Sequence, residues 1–171
     1  MKINVQHSFF ALFFALFCLG GTSKATQEPT DPVIELSLSI SQKYNDLETI
    51  KKQFVQAKWE ETAEPNLHDN NETNILRIMK SQGIEITTLE IPYIDRFFVT
   101  SVAVKGSGIE NFLGIDIGSS MEDVKRIFGA PHEMDKNRFI YSDSESGYNS
   151  VYFDFENNGV VAEMRYDAHV D

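Results

Sequence analysis

The chain has 171 residues, 26 of them acidic against 15 basic, for a formal charge of −11 at neutral pH. That balance, with no cluster of Lys and Arg, argues against nucleic acid, anionic lipid or other polyanions as partners, because phosphate contacts need concentrated positive charge. A single cysteine, Cys18, permits no intramolecular disulfide, so packing must hold the fold together.

Lys2, an apolar run from Phe9 to Gly21 and the small residues around Ser23-Lys24-Ala25 read as an export signal cleaved after Ala25. A periplasmic or secreted location follows, and cleavage removes Cys18, Lys2 and Lys24, leaving a thiol-free and still more acidic chain. As a helix the apolar run is about 20 Å long, short of the ~30 Å bilayer core, so no lasting membrane span is expected. Residues Ala15-Leu16-Phe17 ahead of Cys18 lack a leucine three positions before the cysteine and place bulky Phe17 next to it, which argues against lipid anchoring there.

Val33 to Ile40 alternates apolar residues with Glu35, Ser37 and Ser39, the period of a half-buried strand. A helix follows from about Asp46 to Phe54, capped by Asn45 with Glu48 as the capping-box partner and Leu47, Ile50 and Phe54 as its stripe. Gln56 to Asn74, with Pro65 and His68-Asp69-Asn70-Asn71, is expected to be a long polar loop with at most a short strand near Trp59. Strands are then expected over Ile75–Lys80, Ile84–Ile91 and Phe97–Lys105, with a turn at Gln82-Gly83. A second helix starts after Ser119, with Glu122 as its box partner, buries Met121, Val124, Ile127 and Phe128, and stops at Gly129 and Pro131. Strands over Arg138–Ser142, Asn149–Glu156 and Val160–Asp167 complete the chain, the last two joined by Asn158-Gly159, a tight-hairpin signal.

The two helices align: Glu48, Lys51 and Phe54 recur as Glu122, Lys125 and Phe128, and Leu47, Ile50 and Lys52 keep their chemistry as Met121, Val124 and Arg126. With hairpin turns following each, this suggests a duplicated unit. The expected fold is therefore α+β, two tandem helix-plus-antiparallel-sheet units over residues 26–106 and 107–171 after a signal over residues 1–25.

Gly114-Ile115-Asp116-Ile117-Gly118-Ser119-Ser120, Glu122-Asp123-Val124, Phe128-Gly129-Ala130-Pro131, Tyr141, Phe153-Asp154-Phe155 and Asn158-Gly159-Val160 carry a resemblance. The pattern resembles the superfamily joining bacterial β-lactamase inhibitor proteins to small outer-membrane assembly lipoproteins of the SmpA/OmlA type. It covers about a third of the chain, and its tandem arrangement looks more like the inhibitor branch. The resemblance implies a sheet surface presented to another protein, with no reaction attached. The missing lipid-attachment signature separates this chain from the lipoproteins, and the missing cysteines separate it from inhibitors that carry disulfides.

Alternation puts Val151, Phe153 and Phe155 in the core and Tyr152 and Asp154 on the other face; on the last strand Ala162, Met164 and Tyr166 look inward and Val161, Glu163 and Arg165 outward. Tyr152, Asp154, Glu163 and Arg165 then share a surface that mixes an aromatic anchor with both charges, as binding faces do. A solvated face with ordinary cross-strand ion pairs would look the same. Tyr141 and Tyr148 flank a turn and are further candidates for contact with a partner, or for packing under the hairpin. Asp143 and Glu145 lack the spacing of a calcium loop, and His68, His132 and His169 fit no zinc motif, so no metal is expected. No nucleophile elbow or phosphate loop is present, so neither catalytic residues nor a cofactor are expected. The functional expectation is a non-enzymatic protein-binding module, an inhibitor or immunity-like partner of a basic exported enzyme or, alternatively, an accessory of an outer-membrane assembly complex.

Overall fold

A computed structural model describes residues 30–66, 71–144 and 146–170. The expected signal, Cys18, His68 and Glu145 lie outside those residues. Eight strands form one antiparallel sheet: β1 (Lys58–Pro65), β2 (Thr73–Ser81), β3 (Ile84–Ile91), β4 (Arg96–Val104), β5 (Glu133–Asp135), β6 (Arg138–Ser142), β7 (Asn149–Phe155) and β8 (Val161–Ala168). Their order across the sheet is β1-β2-β3-β4-β8-β7-β6-β5, so two four-strand meanders meet where β4 pairs with β8. Helices α1 (Pro32–Lys43), α2 (Leu47–Gln53) and α3 (Met121–Phe128) complete the described elements, with a single 3-10 turn at Pro92–Ile94.

The expectation of two tandem helix-and-sheet units is corrected by this arrangement. One sheet carries a single buried cluster, from Val33, Ile50 and Met79 to Val151, Phe153 and Tyr166. The N-terminal helix α1 touches β4, β7 and α3, so the start of the chain seals the core of its C-terminal half. No helix precedes α3 in the place that α1 holds before α2; a loop carrying the buried Phe112 and Ile115 fills that stretch.

Helix α1 replaces the strand expected over Val33–Ile40. Asp31 caps it by accepting from Val33 N at 2.8 Å, and Pro32 occupies the first turn, where a missing N–H is harmless. Its buried residues Val33, Leu36 and Ile40, followed by Tyr44, keep the three-to-four spacing of a helix face, while Leu38 is exposed. The other two caps sit one residue later than expected. Asp46, not Asn45, caps α2 through Thr49 N. Ser120 and Asp123, not Ser119 and Glu122, form the capping box of α3. Ser119 instead accepts from Asp116 N with its hydroxyl, and its carbonyl accepts from Val161 N at 2.8 Å, which moors the helix entrance to β8. Ser120→Ala is therefore expected to destabilise the protein by about 1 kcal/mol in urea unfolding, while Glu122→Gln stays within ~0.5 kcal/mol.

Three further expectations are corrected. Within the loop expected over Gln56–Asn74, Lys58–Pro65 form the full strand β1, paired with β2 from Lys58↔Lys80 to Pro65↔Thr73. As an edge strand it needs only Trp59 to pack on the core, so its sequence is polar and escapes a search for apolar alternation. Ile127 is 39% exposed rather than buried. A bulge between Asp154 and Phe155 pairs Phe155 with Val161, turning Val161 into the core although Glu163 and Arg165 keep the outward face.

Register fixes the two faces. Trp59, Met79, Ile86, Val102, Tyr166, Val151 and Tyr141 form one row across seven strands on the face covered by helices. The neighbouring row, Lys58, Lys80, Glu85, Ala103, Arg165, Tyr152, Ile140 and Glu133, crosses all eight strands on the opposite face. Every buried strand residue is accounted for by the first face, and among the described residues no helix lies on the second.

Candidate open-face binding site

Four of the expected site residues come together on this open face. Tyr152 on β7 pairs directly with Arg165 on β8, and Asp154 with Glu163. The Arg165 guanidinium lies over the Tyr152 ring, 4.5 Å from its centroid, and Arg138 approaches the same ring at 5.9 Å. A guanidinium over the ring face is attracted by the negative face of the aromatic quadrupole. Arg138 donates two hydrogen bonds to Asp154, Nε to Oδ1 at 2.5 Å and Nη2 to Oδ2 at 2.8 Å, the forked geometry that favours Arg over Lys. That bond is the main reason the guanidinium's pKa is raised. Lys105 reaches Glu163 at 3.2 Å.

Beside this cluster the sheet dips over β4, where Ser101 and Ala103 carry short side chains. The resulting trough, about 400 Å³, is walled by Lys80 and Glu85 on one side and by Glu163, Arg165 and Asp167 on the other. Asp167 accepts from the Ser101 hydroxyl at 2.7 Å, and its other oxygen sits 3.0 Å from Arg165 Nε. The alignment of that last contact is poor, so Arg165 Nε has charge proximity but no hydrogen bond. Farther along the face, Leu76, Leu89 and Phe98 form a half-buried apolar row across β2, β3 and β4.

The two other expected residues lie elsewhere. Tyr141 is 1% exposed, on the covered face, with its hydroxyl donating to Gly129 O at 3.2 Å; burial pushes its pKa up to about 12. It has no surface to offer a partner, because the alternation that puts half-buried Ile140 on the open face turns Tyr141 inward. Tyr148 is 51% exposed and stacks on His169, at the end of the sheet away from the open-face cluster. Sequence reasoning missed Arg138, Lys105 and the Leu76–Leu89–Phe98 row. Arg138 and Asp154 are 16 positions apart, and only the β6–β7 register joins them; apolar strand residues, taken alone, read as core.

Among the described residues no group of three or more His, Cys, Asp or Glu side chains is placed to hold a metal ion. No helix among them is long and apolar enough to cross a membrane. No protein-family model, curated protein or solved structure matches the chain.

Proposed function

We propose that the protein is an exported, non-enzymatic binding module whose open sheet face engages another protein, as an inhibitor or immunity-like partner of a basic exported enzyme. The observation that carries this reading is the bare face itself. Eight strands present a tyrosine beneath two guanidinium groups, a forked ion pair, a trough and an apolar row with no helix of the described residues above them, a combination of anchor, charge and shape that suits a partner's surface. The formal charge of −11 supports a basic partner, because opposite charge accelerates encounter and orients the approach.

Affinity capture from an envelope extract of the producing organism tests it. At low salt the protein is expected to retain one basic protein, and retention should weaken as salt rises. Tyr152→Ala is expected to weaken binding about tenfold or more, and Glu163→Lys should slow association by reversing a charge on the rim of the site. Tyr148→Ala, away from the face, should leave binding unchanged. Retention that survives the Tyr152→Ala and Glu163→Lys changes together would remove the open face from the reading.

A further inference from the structure

The centre of the sheet is not fully closed. β4 pairs with β3 along its whole length, but with β8 only from Ser101↔Asp167 to Val104↔Met164. The cause lies in β4 itself. Thr87 pairs with Ser101 and Thr88 with Val99, so Thr100 is an extra residue, and the bulge bends β4 away from its neighbour. The chain after β8 does not follow β4 into the gap; His169 N donates to Tyr148 O at 2.8 Å and stays beside β7. Residues Arg96 to Thr100 therefore keep a strand edge in the interior of the sheet with no strand of the described residues alongside.

That gap opens into a groove of about 720 Å³ on the helix-bearing face, under the middle of α1. Ser37 and Ser41 form one wall, the Tyr148–His169 stack another, and Phe97 and Val99 the floor. The lining contains no Asp, Glu, Lys or Arg, which is unusual in so acidic a chain. The polar groups at its base are already engaged with one another: Tyr166 OH donates to Asn149 Oδ1 at 2.7 Å and meets Ser37 Oγ at 2.8 Å. The base thus asks for no charged ligand.

We propose that this groove binds an extended, uncharged peptide segment of another protein, which adds a strand to the free edge of β4 at Arg96–Thr100. Strand addition takes its affinity from main-chain hydrogen bonds and its selectivity from alternate side chains. One row of the guest's side chains would enter the groove against Ser37 and Ser41, so small or apolar residues fit there. The other row would emerge beside Phe98 on the open face. The proposal does not depend on the open-face reading, since the groove lies on the opposite side of the sheet and shares only Phe98 with that face.

A library of ten-residue peptides displayed on phage, panned against the protein, tests it. The expected result is enrichment of sequences with uncharged residues at every second position. Synthetic copies should bind, and N-methylation of alternate backbone amides should abolish binding. Hydrogen exchange at those amides of Arg96–Thr100 that point away from β3 should slow at least tenfold when peptide is added. Ser41→Trp, an exposed helix position that fills the groove, should weaken binding at least tenfold without lowering the midpoint of urea unfolding. Three results would each overturn the proposal. The first is no enrichment, or enriched peptides that bind the Ser41→Trp protein equally well. The second is that the amides of Arg96–Thr100 pointing away from β3 are as protected in the free protein as that of Val102. The third is a tenfold gain in peptide affinity when residues 26–30 are deleted, which would assign the groove to the chain's own N-terminal segment.

Discussion

Phe153→Ala is expected to destabilise the protein by about 3–5 kcal/mol, the range for deleting a fully buried aromatic ring. Phe153 is 0% exposed and sits where separate parts of the fold meet. Its ring lies 5.0 Å from Phe128 of α3, 6.0 Å from Tyr141 of β6 and 6.4 Å from Phe112 in the loop before α3, each at a steep interplanar angle. Removing it leaves a void bounded by sheet, helix and loop, and the three elements cannot all relax inward because register holds β7 between β6 and β8. Domains of this size have a total stability of ~5–15 kcal/mol, so the variant should lie near the limit of folding. Phe153→Leu keeps most of the volume and should cost under about 1.5 kcal/mol. Tyr152→Ala, one residue away on the opposite face, removes no core and should cost about 1 kcal/mol or less. Urea unfolding of the three variants side by side checks the assignment of faces as well as the cavity. Comparable losses at positions 152 and 153 would mean that the open face is not open.

The same alternation that separates these two positions explains what was legible in the sequence. Strands β6, β7 and β8 stood out because apolar and polar residues alternate cleanly between strong turn signals, and Tyr152, Asp154, Glu163 and Arg165 could be placed together because a short hairpin fixes its own register. α1 was not legible as a helix from its apolar pattern, since Val33, Leu36 and Ile40 satisfy a helical period while Ile34, Leu36, Leu38 and Ile40 satisfy a strand period. Asp31-Pro32 was the deciding signal, and it lies just before the ambiguous stretch. The joining of β4 to β8 could not be read at all: Ser101 and Asp167 are far apart in the chain, and no local feature of either strand specifies the other. That single pairing turns two expected units into one sheet. Bulges are equally silent in sequence, yet one sends Val161 inward and another opens the groove beside β4.

Asp143→Ala is expected to cost about 3 kcal/mol at pH 7, a large effect for a loop residue. The carboxylate is 6% exposed and organises the β6–β7 connection. Oδ1 accepts from Ser146 N at 2.6 Å and Gly147 N at 2.8 Å; Oδ2 accepts from Asn149 N at 2.8 Å and Asn149 Nδ2 at 2.9 Å. Asn149 in turn accepts from Tyr166 OH, so the loop is tied to β8 and, through Ser37, to α1. Alanine would strand several of these donors, each costing ~1–3 kcal/mol where water cannot reach it. Burial alone would push the Asp143 pKa up. The hydrogen bonds from Ser146, Asn149 and Gly147 outweigh it and hold the group well below the usual carboxylate range. A depressed native value means that this stabilisation is fully present above the unfolded-state value of about 3.9 and is lost as pH falls from there through the native value. Asp143→Asn keeps the shape but presents an NH₂ group where donors converge, so its deficit relative to the unmodified protein should be largest at pH 7, persist at pH 5 and narrow below about pH 4. Urea unfolding at pH 7, 5 and 3 measures it. A deficit independent of pH would mean that shape, rather than the ionised carboxylate, holds the loop against the sheet.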